Sequence, residues 1–261
     1  MKWGKLKKTL KSKRPTLGSW ITLPDTCIAE IMANAGFEWL VVDMEHSSID
    51  ISQAQKLIQT IDLAGRVPLA RVGANDPLII KRVMDAGAQG VIVPMVNTRE
   101  DAEKAVEAVK YPPYGKRGVG LARAQGYGFD FDEYRELVNA NSTVIVQIEH
   151  INAVENLEKI LGVKGVDGFI IGPYDLSGSM GKPGRFEDPE VKKALRAVKK
   201  LMGRTGKSPG FHVVPPDSKM VDRRISEGYR FIAFSLDTVL LGAACRQCLS
   251  GVSGKQMKGK R

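Results

Sequence analysis

Residues 143–149, with the sequence TVIVQIE, decide the fold class. The run is apolar almost throughout and rich in β-branched side chains, as in a parallel β-strand that is buried on both faces. The strand period of two places Gln147 and Glu149 on one face and Ile148 on the other. Because a strand of this kind requires helices on both sides of its sheet, the sequence predicts an α/β protein.

Similar runs recur along the whole chain. The predicted strands cover residues 17–23, 39–44, 67–72, 90–95, 143–149, 168–175, 209–214 and 231–237. The amphipathic stretches between them predict helices over residues 25–36, 51–63, 76–87, 98–110, 152–161, 188–202, 216–228 and 238–249. Eight strands that alternate with eight helices predict a single (β/α)8 TIM barrel over residues 15–250. The competing open, doubly wound sheet would need a glycine-rich phosphate turn after an early strand, and the sequence has none.

The net charge of +10, from 39 Lys and Arg against 29 Asp and Glu, is the unusual feature of the composition. Such an excess can indicate a nucleic-acid or membrane-surface partner. Residues 1–14, however, hold seven basic side chains and no acidic one, and residues 251–261 hold four basic side chains and no acidic one. The region between them is nearly neutral. We therefore expect two basic, solvated terminal segments and no nucleic-acid or membrane partner.

The composition also excludes several classes of protein. No run of about 18 apolar residues predicts a transmembrane helix, and the basic start lacks the apolar core of a secretory signal. Three cysteines do not make a disulfide framework. Cys245 and Cys248 form a C-x-x-C pattern inside a predicted helix without a second pair, which argues against a zinc or redox site. The expected location is the cytoplasm.

Polar side chains cluster where the predicted strands end, the edge at which TIM barrels carry their active sites. The candidates are Asp43, Glu45, His46, Arg71, Gln147, Glu149, Gly172, Tyr174 and Asp175. Charged groups at a barrel rim are costly to bury unless they are paired or bound to a metal. Glu149 and Asp175, on neighbouring predicted strands, could hold a hard divalent cation and leave positions for water and substrate.

Each candidate also has a purely structural interpretation. The two possible metal ligands could form salt bridges at the rim. Arg71 could bind a carboxylate or an enolate oxygen with its planar fork, or it could pair with Asp43 or Glu45. His46, one of three histidines, could act as a base near neutral pH or be a satisfied structural histidine.

Taken together, these residues form a series of motifs that resembles the HpcH/HpaI family. In chain order the motifs are DMEH at 43–46, AR at 70–71, GAQG at 87–90, VPMV at 93–96, YPP at 111–113, RGVG at 117–120, QIE at 147–149, GPYDLS at 172–177 and MG at 180–181. The family comprises class II, metal-dependent aldolases of 2-oxo-3-deoxy acids and related 4-hydroxy-2-oxo acids. The resemblance covers residues 15–250 with compatible spacing, so no single motif carries it.

The resemblance implies a homo-oligomer, often a hexamer built as a trimer of dimers that exchange the last helix. It implies Mg²⁺, Mn²⁺ or Co²⁺ bound by Glu149 and Asp175. It also implies that pyruvate chelates this metal through its carboxylate and keto oxygens. Gln147, Gly172 and the backbone amide of Tyr174 would contact the substrate as well.

For catalysis, the resemblance implies that His46 is the acid–base group and that Arg71 stabilises the enolate and contacts the substrate. Asp85, on the third predicted helix, would raise the basicity of His46, and Asp43 and Glu45 would support the site. Retro-aldol cleavage needs a base for the 4-hydroxyl proton and an electron sink for the carbanion. The alternative sink is a Schiff-base lysine, and no predicted strand contains a lysine.

The sequence departs from common family members at three places. Tyr174 stands where alanine is frequent, Met44 stands where glycine is common, and the loop over residues 118–128 is short. All three could lie near the aldehyde half of the site. The sequence therefore predicts the part of the site that binds pyruvate and the metal, and it leaves the aldehyde specificity open.

The predicted function is a divalent-metal-dependent aldolase that reversibly cleaves a 4-hydroxy-2-oxo acid to pyruvate and an aldehyde through a metal-stabilised enolate. The substrate would be of the 2-oxo-3-deoxy sugar acid or 4-hydroxy-2-oxoheptanedioate type. The alternative is a citrate-lyase-like or decarboxylating enzyme that uses the same metal enolate on another substrate.

Overall fold

The structure is a computed structural model that describes residues 3–252 of the 261-residue chain. Its eight parallel strands pair in chain order, and β8 closes on β1, so the predicted (β/α)8 barrel is confirmed. The strands are β1 (Thr16–Ile21), β2 (Trp39–Asp43), β3 (Val67–Arg71), β4 (Gly90–Val93), β5 (Thr143–Ile148), β6 (Gly168–Ile171), β7 (Ser208–Val213) and β8 (Phe231–Leu236).

Helices surround the barrel and cover the end at which its strands begin. They are α1 (Lys5–Lys11), α2 (Thr26–Asn34), α3 (Ile51–Leu63), α4 (Pro77–Asp85), α5 (Arg99–Val109), α6 (Phe131–Asn141), α7 (Ile151–Glu155), α8 (Leu157–Leu161), α9 (Pro173–Ser179), α10 (Pro189–Leu201), α11 (Ser218–Ser226) and α12 (Asp237–Ser250). A short 3₁₀ segment covers Arg123–Gly128. Within residues 3–252, none of the helices has both the length and the hydropathy of a bilayer-crossing segment.

The barrel interior is a packed core of its own. Trp39 and Phe231 stack inside it with ring centroids 4.1 Å apart. Gly18 makes room for this pair, because a Cβ on Gly18 would lie 2.0 Å from the Trp39 ring. A side chain at this position would therefore displace the interior aromatic pair.

The N-terminal segment differs from the solvated stretch that the sequence predicts. Leu6 and Leu10 of α1 are 4% and 2% exposed and join the interior core. Lys7 donates to the Ser142 carbonyl at 2.8 Å and pairs with Asp167 at 3.1 Å. These residues precede β5 and β6, so α1 closes the N-terminal end of the barrel. The expectation of a solvated N-terminal segment is wrong for α1, because its apolar face and one lysine are buried. The basic residues of the predicted C-terminal segment lie beyond residue 252, outside the described part of the chain.

Three further elements differ from the sequence prediction. The predicted strand 168–175 ends at Ile171, because Pro173 occupies the first turn of α9, which Gly172 precedes as its N-cap residue. The amphipathic α6 lies where no helix was predicted. The predicted helix 152–161 is two short helices, α7 and α8, with Asn156 between them.

Candidate active site

A charged pair joins the ends of β2 and β3 at the mouth of the barrel. Asp43 and Arg71 are register partners, and Arg71 Nε and Nη2 donate to the two Asp43 carboxylate oxygens at 2.9 and 2.6 Å. The Arg71 guanidinium also lies 4.4 Å above the centroid of the Trp20 ring. Burial alone would raise the pKa of Asp43, but the hydrogen bonds and charge of Arg71 hold it below its ordinary value. The arginine fork is therefore fixed in place before any substrate binds.

Glu149 is held rigidly at the end of β5. It is 3% exposed, and its Oε1 accepts a hydrogen bond from the Met95 backbone N–H at 2.7 Å. The Gln147 side-chain amide donates to Glu149 Oε2. Met95 has φ +52°, a left-handed conformation that is unusual for a residue with a side chain and that turns its N–H toward the carboxylate. As predicted, Ile148 packs in the outer core while its two neighbours face the barrel mouth.

Asp175 and Tyr174 enter the site from the first turn of α9 rather than from a strand end. Both side chains are exposed, and both line two adjoining cavities of about 220 and 550 Å³. Arg71, Gln147 and Gly172 line the smaller cavity, which has the size for a small organic acid.

The site holds more negative than positive charge. The pKa of Glu45 is raised to about 7, mainly by burial and also by the Glu149, Asp43 and Asp175 carboxylates, against the opposing charge of Arg71. Burial likewise raises the pKa of Glu149, with a smaller contribution from Asp175. Carboxylates that crowd a buried site in this way are stabilised by a cation.

The donor atoms at the mouth fit a hard divalent ion. Glu149 and Asp175 offer carboxylate oxygens, and the buried Gln147 Oε1 has no hydrogen-bond partner among the described residues. In the described part of the chain, no three His, Cys, Asp or Glu side chains converge on one point. The protein would therefore supply two carboxylates and leave the other positions for water and substrate oxygens.

His46 lies at the open rim of the smaller cavity. Its side chain is 61% exposed, and its Nε2 lies 3.8 Å from Glu45 Oε2. The His46 backbone N–H donates to Asp43, which ties the loop after β2 to the charged pair. The imidazole is thus close to the cluster and open to solvent and to substrate.

Asp85 is not brought to His46 within the chain. It ends α4, and its carboxylate pairs with Arg117 at 2.5 Å. The Arg117 guanidinium lies 4.6 and 5.5 Å from the ring centroids of Tyr111 and Tyr134. The structure therefore gives Asp85 a different partner, and its role in tuning His46 stays a prediction.

Three residues of the site are not among the candidates that the sequence predicts. Trp20 supports Arg71, Met95 supplies a backbone N–H to Glu149, and His212 lines the smaller cavity beside Trp20. The period of two on the first strand could have placed Trp20 inside the barrel. No local pattern indicates the backbone conformation of Met95.

We expect His212 to make the fold sensitive to acid. Burial lowers its pKa from 6.5 to about 4, aided by the Arg71 charge and opposed by the hydrogen bond to the Ser235 carbonyl. The neutral ring is favoured in the folded state, so this stability is complete above pH 6.5 and is lost as the pH falls toward 4. When the pH falls from about 7 to about 4.5, the unfolding free energy measured in urea titrations should decrease in both proteins. The decrease should be about 2–3 kcal/mol smaller in His212→Gln than in the parent protein. An equal loss in both proteins would contradict the neutral buried histidine.

Gly172 keeps the space beside Glu149 open. A Cβ at Gly172 would lie 3.1 Å from Glu149 Cβ and 3.2 Å from its Oε2, and two hydrogen bonds keep that carboxylate from yielding. Gly172→Ala should therefore weaken binding of Mn²⁺, measured by calorimetry, by about tenfold. Gly203→Ala, just after α10, is the control, because its Cβ would meet open space and Gly203 lines neither cavity of the site; equal effects of both variants would contradict the steric argument.

The chain is similar over most of its length to known aldolases. A hydroxypyruvate/pyruvate aldolase of Roseobacter denitrificans is 37% identical over 237 residues, which cover 90% of this chain and 91% of that protein. A 4-hydroxy-2-oxo-heptane-1,7-dioate aldolase of Escherichia coli is 38% identical over 239 residues, which cover 91% of this chain and 90% of that protein.

Solved structures and family models lead to the same result. The crystal structure of an HpcH/HpaI aldolase/citrate lyase family protein from Burkholderia cenocepacia J2315 has a TM-score of 0.89 at 34% sequence identity, covering 95% of this chain and 98% of that chain. The HpcH/HpaI aldolase/citrate lyase model matches residues 16–244. The predicted resemblance and the predicted enzyme class, a carbon–carbon lyase, are confirmed. The chain belongs to the HpcH/HpaI aldolase/citrate lyase family.

Proposed function

We propose that the protein is a divalent-metal-dependent aldolase that reversibly cleaves a 4-hydroxy-2-oxo acid to pyruvate and an aldehyde. The observation that carries the proposal is the meeting of a rigid Glu149, the Asp175 carboxylate and the Arg71 fork around two adjoining cavities, both of which Asp175 lines. Relatives at 37–38% identity are aldolases of hydroxypyruvate and pyruvate or of a 4-hydroxy-2-oxo diacid. Their names differ in the aldehyde, so we assign the 2-oxo acid end and leave the aldehyde to be measured.

Glu149 and Asp175 would hold the ion, which we propose to be Mg²⁺, Mn²⁺ or Co²⁺. When bound, such an ion supplies Lewis-acid polarisation of a keto group. Gln147 and Gly172 line the cavity floor, where the free Gln147 Oε1 can orient a bound water or a substrate group. Tyr174 lies in the first turn of α9 beside them, and its backbone amide would contact the substrate carboxylate.

Arg71 would stabilise negative charge on the substrate. Asp43 and Glu45 engage its Nε and Nη2 atoms, which leaves Nη1 available to an oxygen of the substrate. A fixed, planar donor of this kind needs no reorganisation when charge develops on an enolate oxygen. Asp43 and Glu45 therefore act by positioning the guanidinium.

His46 would accept the proton of the 4-hydroxyl group during cleavage and return it in the reverse direction. Its imidazole lines the same cavity as Arg71 and is open toward the solvent side, where the aldehyde half of the substrate would lie. Glu45 is the carboxylate beside it, at 3.8 Å from Nε2. An exposed imidazole beside a carboxylate has the donor and acceptor atoms that a general acid–base group needs.

A release assay for pyruvate across a panel of 4-hydroxy-2-oxo acids, with each metal and with chelator, tests this proposal. We expect metal-dependent pyruvate release from at least one diacid or sugar-acid substrate. Cleavage of a citrate-like or acyl-CoA substrate without any pyruvate release would favour the citrate-lyase-like alternative, which the family also contains. Borohydride trapping of a lysine with pyruvate would contradict the metal route.

We also propose that the protein is a homo-oligomer, a hexamer of three dimers, in which α12 contacts a second copy. Within one chain, Asp237 is the only buried residue of this 14-residue helix. Its apolar side chains Leu241 and Leu249 are 53% and 39% exposed. An apolar surface of this kind is expected to be covered. Light scattering should show a multiple of the 28.5 kDa chain mass that Leu241→Glu reduces, whereas Leu63→Glu, at an exposed site on α3, should leave the mass unchanged.

A further inference from the structure

A second polar cavity lies at the opposite end of the barrel from the candidate active site. It has a volume of about 670 Å³ and lies where α1 meets the residues that precede β5, β6 and β7. We call it the lysine pocket; its walls carry the five lysines Lys7, Lys11, Lys110, Lys164 and Lys207 and the two carboxylates Asp167 and Glu136.

The buried lysines of this pocket are held mainly by neutral acceptors. Lys7 is 8% exposed and donates to the Ser142 carbonyl at 2.8 Å. Lys110 is 6% exposed and donates to the Ser142 hydroxyl at 3.4 Å. Lys207 donates to the Val166 carbonyl at 2.6 Å. Asp167 pairs with Lys7. The Lys7–Asp167 ion pair therefore lies beside the Lys110 and Lys207 ammonium groups. Carbonyl and hydroxyl oxygens orient these two groups but do not neutralise their charge.

Burying these ammonium groups has a free-energy cost that an anion in the pocket would offset. Burial and the nearby Lys7 charge lower the pKa of Lys110 to about 8, and burial lowers the pKa of Lys207 as well. Taking ammonium groups out of water is expensive, and apolar side chains of similar size would be cheaper. The N-terminal end of a TIM barrel ordinarily serves stability, so a destabilising cluster there requires another explanation.

We propose that the lysine pocket binds a small molecule that carries a phosphate group. Phosphate oxygens are strong, charged acceptors for ammonium donors, and a concave wall on which five lysines outnumber two carboxylates has a net positive field that attracts an anion. The volume lies within the range of small-molecule sites, which leaves room beside the phosphate for an organic part against Val106 and Tyr114. This site is separate from the proposed aldolase chemistry and does not depend on it.

Calorimetric titration of the full chain in phosphate-free buffer, at constant ionic strength, tests the proposal. The probes are inorganic phosphate, pyrophosphate and AMP. Lys11 and Lys164 are exposed at the edge of the pocket, so Lys11→Gln/Lys164→Gln should fold and should weaken binding of the tightest probe roughly tenfold or more. Lys56→Gln/Lys219→Gln removes the same charge from exposed positions outside the pocket and should change the affinity less than about twofold.

The three probes distinguish the sources of the phosphate group. Tighter binding of AMP than of inorganic phosphate identifies an organic phosphate as the occupant, and equal binding identifies the free anion. Absence of saturable binding for all three probes would overturn the proposal, as would equal weakening in the two double variants. A single-stranded oligonucleotide that bound more tightly than every probe and lost affinity in Lys11→Gln/Lys164→Gln would overturn the small-molecule assignment.

Discussion

Glu149→Gln is expected to lower the affinity for Mn²⁺ by on the order of 100-fold and carbon–carbon cleavage by at least about 1,000-fold. Both carboxylate oxygens of Glu149 accept hydrogen bonds, one from the Met95 N–H and one from the Gln147 amide. A glutamine has a single oxygen, so its NH₂ group would face one of these donors. The substitution removes the charge and the geometry together. Calorimetric binding of Mn²⁺ and steady-state pyruvate release measure the two effects.

Glu45→Gln is the matched control for this prediction. It removes a carboxylate from the same cluster, but Glu45 Oε2 accepts no hydrogen bond among the described residues. Because the pKa of Glu45 is raised to about 7, this group is already partly neutral near neutral pH. We expect its loss to change the Mn²⁺ affinity by less than about tenfold. Equal losses of Mn²⁺ affinity in Glu149→Gln and Glu45→Gln would show that Glu149 has no special role in holding the ion.

Arg71→Lys is expected to reduce kcat about 100- to 1,000-fold while the Mn²⁺ affinity stays within a few fold. Asp43 and Glu45 fix the guanidinium through two of its nitrogens, and the Trp20 ring lies beneath it. A lysine keeps the positive charge but offers one ammonium group, which cannot satisfy Asp43 and bind a substrate oxygen in the same geometry. The effect should therefore fall on turnover, measured as pyruvate release at saturating metal.

The control for this substitution is Arg66→Lys at the other end of the same strand. Arg66 precedes β3 and donates from Nε to the Ala33 carbonyl at 2.9 Å, far from the barrel mouth. This variant should keep kcat within about twofold, since surface substitutions of this kind have small effects. An unchanged kcat in Arg71→Lys would show that a point charge is sufficient and that the fork is not required.

Much of the site could be predicted from the sequence because a strand offers its side chains only two faces. The alternation in 143–149 sends Gln147 and Glu149 to the mouth and Ile148 to the outer core, as the structure shows. The register of β2 and β3 then brings Asp43 to Arg71. The ion pair between them, one of two interpretations of Arg71 from the sequence, is present, and Arg71 lines the cavity as well.

The remaining parts depend on contacts between residues that are distant in sequence. Gly172 and Pro173 continue an apolar run, so the sequence prediction extends a strand through Asp175, although proline in the first helical turn starts α9. Trp20 lies under Arg71 because β1 and β3 both pair with β2, and no local pattern encodes this contact between their side chains. Burial of Lys7 depends in the same way on partners that enter the chain 135 and 160 residues later.

That last feature sets an order for the folding of the chain. Helix α1 is synthesised before every strand of the barrel, yet its hydrogen-bond partners precede β5 and β6, and Ser208, the first residue of β7, donates to the Leu10 carbonyl across 198 residues. Closing contacts at such separation costs loop entropy and is slow. Leu6 and Leu10 can reach the barrel interior only when most strands are present. A helix that is synthesised before every strand of the barrel is thus among the last elements to dock, and its basic side chains favour its solubility until then.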